Sequence, residues 1–227
     1  MPEPHLTSAI AGCQNDYIAI LEFQTFYVAV GNFLLERGDE WLRYLESKSL
    51  PVNKNPHYKP DFHHDFLAHY MIRAAAEMFL NYLTDLLRAI FLSRPEILRS
   101  SAQVKVDDVL RHTGMDDFVR WYADRKVTEL SYSSLVDLDD YFSKQLGLPI
   151  CTDPDEFLEV RRLVAKRNLL VHARAVVNEV YRKAAAEPDA EIGTVLELDF
   201  KTASEEPGRV YDLVKALDMR ASQKFGI

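Results

Sequence analysis

The sequence predicts an all-α protein, and three observations lead there. Apolar residues recur at helical spacing in stretch after stretch. Prolines and glycines fall between these stretches, where they punctuate helices. Only one short segment near the C-terminus alternates in the manner of a strand. The chain has 227 residues, 48% of them hydrophobic and 27% charged. That length suits one large domain, 1–227, and it buries roughly 70–75% of the unfolded surface without staples.

The elements follow in order. Asp16 to Arg37 is apolar and aromatic, with Ile20, Phe23, Tyr27 and Val30 on one side. Gly38-Asp39 punctuates it, and Asp39 is placed to cap a short helix through Glu46. Leu50 to Pro60 holds Pro51, Pro56 and Pro60, so it reads as a connector. A long helix is expected from about Phe62 to Leu92, apolar through Met78, Phe79, Leu83, Leu86, Leu87 and Ile90. Ser93-Arg94-Pro95-Glu96 ends it and starts a short helical turn.

Shorter helices fill Lys105 to Gly147. Asp107 opens the first, Gly114 breaks it, Met115 to Glu129 follows, and Ser133 or Ser134 caps the next. This segment, about 105–150, reads as a helical insertion between the long helices. Asp153-Pro154 then supplies an N-cap and a first-turn proline, with Asp155, Glu156 and Glu159 suited to the positive end of a helix dipole. One long helix is expected from Pro154 to about Ala186. Thr194 to Phe200 reads as a short strand or extended loop, and Glu205 to Lys224 as a closing helix.

Composition narrows the function classes. The net charge of −8 argues against a non-specific nucleic-acid coat. Cys13 and Cys151 stand alone, with neither CxxC spacing nor a disulfide framework, which suits a reducing cytoplasm. The N-terminus has no basic stretch leading into an apolar core, and no apolar run is long enough to span a bilayer. A cytoplasmic protein without membrane contact is the expectation.

The chemistry concentrates in Arg167-Asn168-Leu169-Leu170-Val171-His172. A cation, an amide and an imidazole interrupt an otherwise apolar helix. An arginine and a histidine are what metal-free cleavage of an RNA phosphodiester requires, one neutralising phosphate and the other moving a proton. Between Val160 and Lys183 the charges are Arg161, Arg162, Lys166, Arg167, Arg174, Arg182 and Lys183 against Glu179 alone. Such a basic helix is either a local phosphate site or a helix whose bases pair with acidic neighbours, and the second is the commoner case. On a continuous helix Arg161, Asn168, His172 and Glu179 share a stripe roughly 40° wide, whereas Arg167 lies about 140° from His172. One phosphate is then served by both only if the arginine curls around the helix or a second copy supplies the missing group.

Other candidates are bland by comparison. His57, Asp61, His63, His64, Asp65 and His69 crowd the start of the second long helix, and Asp65 and His69 share a helical turn. They read as exposed connector residues, so neither a metal nor another cofactor is expected. Asp85 and Arg88 read as a local ion pair, with support of Arg167 from a facing helix as the alternative. Glu77 reads as a buried partner for a basic residue rather than a catalytic acid, and Trp41 and Trp121 as core or interface.

Arg-Asn-x-x-x-His on a long late helix of an all-α chain resembles the HEPN superfamily, whose hallmark is an arginine, a polar residue, and a histidine after four to six intervening residues, here four. Tyr82 to Ile90 followed by Arg94-Pro95-Glu96, and Leu169 to Glu179, are similar to a bacterial branch of that superfamily. The resemblance covers Phe62 to the C-terminus. It implies an antiparallel HEPN-type bundle, with the extra short helices inserted, that forms a homodimer through the motif helix. It further implies a metal-independent endoribonuclease of a toxin–antitoxin or phage-defence system, leaving 2′,3′-cyclic phosphate and 5′-hydroxyl ends, with RNA and a cognate antitoxin as partners. Arg167 would stabilise the phosphate, His172 would act as general base or acid, and Asn168 would orient one of them; Arg161, Glu179, Asp85 and Arg88 would support. Where many relatives carry a polar residue after the histidine, this chain has Ala173. A non-catalytic HEPN module binding RNA, nucleotide or protein, and a purely structural helical dimer, are the alternatives.

Overall fold

The computed structural model describes residues 6–49, 61–99 and 103–227. The described chain is helical, in the order α1 (Ile10–Ser47), α2 (Asp61–Ser93), a 3-10 turn (Pro95–Leu98), α3 (Val106–Leu110), α4 (Met115–Ser131), α5 (Leu135–Tyr141) running into a π-helical turn (Phe142–Leu146), α6 (Pro154–His172), α7 (Glu179–Ala185) and α8 (Phe200–Phe225). No described helix is long and apolar enough to cross a membrane. The Leu50–Pro60 connector, including His57, lies outside the described residues.

Helix α2 is central because its apolar stripe is unusually broad. Met71, Ala75, Met78, Phe79, Tyr82, Leu83, Leu86 and Ile90 are all buried. That stripe lets α8, α1, α6 and α4 all pack against the one helix. The polar remainder of α2 carries Glu77 toward α6 and Asp85 and Arg88 toward α4. The inserted helices join the same core through Ala123, Val127, Leu130, Leu138 and Phe142. Trp121 is half-buried beside Phe118 and Tyr122, with Arg125 over its ring at 5.6 Å.

Helix ends follow local chemistry. Ser134, Asp153, Asn178 and Asp199 each accept a backbone N–H of the first turn, at 3.1, 3.0, 2.9 and 2.8 Å. Of the two serines considered for the α5 cap, Ser134 is the one used. The break expected at Gly38-Asp39 falls at Arg37, whose φ of −137° and ψ of 35° interrupt α1. The side chain of Asp39 lies outside the described residues. Helix α8 starts at Phe200, earlier than the sequence suggested, because Asp199 caps it and Pro207 is tolerated inside. The Asp199 carboxyl sits below the usual carboxylate range, chiefly because it accepts the Thr202 amide.

One polar node lies inside the core. Asp218 of α8 is fully buried and accepts the Thr7 amide at 2.7 Å, the Thr7 hydroxyl, and the Tyr82 hydroxyl at 3.1 Å. It fastens the segment before α1 and the middle of α2 to α8. Burial, with Asp218 next to it, raises the Tyr82 phenol well above its ordinary range. Burial also pushes the Cys13 and Cys151 thiols up to about 12. Both cysteines should therefore resist a thiol reagent at neutral pH in the native state and react only on unfolding. Stopped-flow labelling with and without denaturant checks this.

Candidate active site at the end of helix α6

Helix α6 is held from two sides. Val160, Leu163 and Val164 face the main core, while Ala165 and Leu169 form a second cluster with Val177, Tyr181 and Ala185. Between these faces Asn168, Val171 and His172 remain exposed.

The expected continuous helix to Ala186 is not what forms. Helix α6 ends at His172, and α7 begins at Glu179. Between them Arg174 and Ala175 adopt left-handed φ values of 51° and 64°. The Ala173 and Ala175 amides both return to the Leu169 carbonyl, at 2.9 and 3.2 Å. The backbone then runs extended, as β-branched Val176 and Val177 favour. Val177 donates to Thr194 at 2.9 Å and Leu196 donates to Ala175 at 2.8 Å, around a bridge between Val176 and Val195. The Thr194–Phe200 segment is thus an extended loop carrying this one bridge, and Phe200 belongs to α8.

This break removes Glu179 from the stripe, while Arg161, Asn168 and His172 stay together on α6. Glu179 lies on a different helix from His172, and its carboxylate pairs with Arg182 at 3.3 Å. Arg161 donates to the Ala184 and Lys183 carbonyls, each at 2.5 Å, and so caps the C-terminus of α7. Asp85 binds Arg88 at 3.1 Å, and Arg88 reaches Asp124 at 2.8 Å. That pair faces α4 and makes no ion pair with Arg167. None of these contacts involves Arg167 or His172.

Arg167 is anchored instead by Glu77, with Nη2 to Oε1 at 3.2 Å, while its Nη1 donates to Asn168 Oδ1 at 3.1 Å. Its Nε is buried with no acceptor among the described residues. The anticipated partnership of Glu77 with a basic residue is realised here, although the Glu77 carboxylate is half-exposed rather than buried. His172 is exposed and its ring makes no hydrogen bond among the described residues. Arg162 pairs with Glu159 and Glu187, so three of the seven bases of the run, Arg162, Arg167 and Arg182, are ion-paired. Arg174 makes no ion pair among the described residues and is exposed. Arg167 and His172 are roughly 7.5 Å apart along the helix axis and on different faces.

Of the histidine-rich group, His57 and the side chains of Asp61 and His63 lie outside the described residues. His64 stacks on Phe200 at 5.3 Å. Among the described residues no three histidine, cysteine or acidic side chains are grouped to hold a metal ion.

The left-handed Arg174 could not be read from the sequence, because neither glycine nor proline marks it. A non-glycine residue there costs about 1 kcal/mol. Arg174→Gly should accordingly raise stability by up to about 1 kcal/mol, measured by urea unfolding. No family model matches this chain, and neither does any curated protein or solved structure.

Proposed function

We propose that the chain is a HEPN-type, metal-independent endoribonuclease that works as a homodimer, in a toxin–antitoxin or phage-defence system. The observation that carries this reading is the contrast between the two motif side chains. Glu77 and Asn168 hold Arg167 in place, while His172 projects from the last residue of α6 into solvent. A fixed cation and an accessible imidazole, separated around the helix, suit a site completed by a second copy. Val171 beside His172 in sequence, and Val176, Val180 and Val195 on the segments that follow α6, are exposed and offer that copy apolar surface to cover.

In such a site His172 removes the proton of a ribose 2′-hydroxyl. The 2′-oxygen then attacks the adjacent phosphorus, and the 5′-oxygen leaves with the proton that the same His172 returns. Arg167 neutralises the charge that builds on the phosphoryl oxygens, and Asn168 fixes its guanidinium. Cyclic phosphate and 5′-hydroxyl ends follow. Glu77 competes with phosphate for Arg167, so Glu77→Gln should weaken the orientation of the arginine yet spare the fold. We expect a several-fold fall in kcat with only a small fall in melting temperature, read by parallel kinetics and calorimetry.

The structural reading draws on the same Glu77–Arg167 ion pair, which by itself satisfies the arginine. RNA incubated in EDTA with wild type, Arg167→Ala and His172→Ala separates the two. The proposal requires cleavage by wild type and its loss in both variants; intact RNA in all three tubes supports the structural reading.

A further inference from the structure

The outer side of α1 is apolar where a solvent-facing helix should be polar. Between Ala11 and Val30 the only charges are Asp16 and Glu22. A solvent-facing helix normally keeps its large apolar side chains on the covered side. Among the described residues only one side is covered. Cys13 and Ile20 are buried and Tyr17 stacks on Tyr211 of α8 at 4.4 Å. Ile18, Leu21, Phe26 and Val28 remain exposed, Phe26 by 68%. Ile18, Leu21, Glu22, Thr25 and Phe26 line a shallow open groove at the spacing of a helix-packing seam.

The patch continues onto α2. Phe23 meets Tyr70 at 4.9 Å between ring centroids, and Phe66, one turn away on α2, is 62% exposed. At roughly 150–250 Å² for each large side chain, the exposed parts of these residues amount to about 700 Å². That exceeds the ~300–600 Å² of the largest patch on a typical monomer and approaches the ~800 Å² each partner contributes to a standard interface.

We propose that this face of α1, extended by Phe66 and Tyr70, packs against the same face of a second copy across a twofold axis. Among the described residues Glu22 is the one charged side chain lining the groove, so a charged partner finds little there to read. A face this apolar on a chain of net charge −8 needs permanent cover, and another copy is always present. Self-pairing of one patch is what a twofold contact requires, and homodimer interfaces are the more apolar class. This contact is separate from the one beside His172 and does not depend on the nuclease reading.

The test is the mass in solution of the full chain by light scattering. Ile18 and Phe26 are exposed, so Ile18→Asp/Phe26→Asp should fold normally. It is expected to halve the particle mass and leave RNA cleavage intact. A second measurement is oxidation of Glu22→Cys, which should give a covalent dimer, while Glu129→Cys on α4 should not. An unchanged mass in the double variant, or a wild type that is a single chain, overturns the inference. So does a single-chain wild type that floats with vesicles containing phosphatidylglycerol, which would assign the face to a lipid surface. Halved mass with no nuclease activity in wild type keeps this inference and removes the nuclease one.

Discussion

Replacing Asp218 by alanine should destabilise the protein by about 3–5 kcal/mol, more than any surface substitution. The carboxylate is fully buried and is the shared acceptor of the Thr7 amide, the Thr7 hydroxyl and the Tyr82 hydroxyl. Its removal leaves these donors without an acceptor in a site closed to bulk water, and each orphaned group costs about 1–3 kcal/mol. For a chain of this size the loss corresponds to a fall of about 10 °C in melting temperature. Tyr82→Phe removes only one of the donors, so it should cost about 1 kcal/mol. Thermal unfolding of the three proteins checks the ordering. Equal stabilities would mean that the node does not fasten the N-terminal segment to α8.

His172→Ala should have the opposite profile. The ring is exposed and makes no hydrogen bond among the described residues, so its loss should leave the melting temperature almost unchanged. Cleavage should fall by roughly 10²–10⁴-fold if the imidazole transfers the proton. Arg167→Ala should lose comparable activity, and also some stability, since Glu77 is left without its partner. Rates in EDTA set against melting temperatures make the comparison. A large drop in melting temperature for His172→Ala would assign that residue to the fold instead.

Sequence reasoning was most informative where apolar spacing and caps agree. The breadth of α2 shows in its run of Met, Phe, Leu and Ile, and the start of α6 shows in Asp153-Pro154. It misread the end of α6, because Arg174 and Ala175 turn left-handed without a glycine or proline to announce it. The signal present was weaker: two β-branched valines followed by Asn178, a good N-cap. On a helix continued through the break Glu179 falls onto the stripe of His172, whereas Arg161 shares that stripe on α6 itself but turns its guanidinium to α7. A tertiary contact gives Arg161 the α7 carbonyls, and a local pair within α7 gives Glu179 the Arg182 guanidinium. Pro207 similarly hid the first turn of α8. The apolar pattern of α1 was legible, yet a pattern cannot tell burial within one chain from burial between two.

The separation of Arg167 from His172 around α6 makes a composite site the central claim, and a mixing experiment addresses it directly. Arg167→Ala and His172→Ala proteins are each inactive alone on this account. If each site draws its arginine from one subunit and its histidine from the other, a mixed dimer keeps one intact site of two. Random exchange of subunits should then restore about a quarter of the wild-type cleavage rate in EDTA. A mixture as inactive as its components, beside an active wild type, would contradict the shared site.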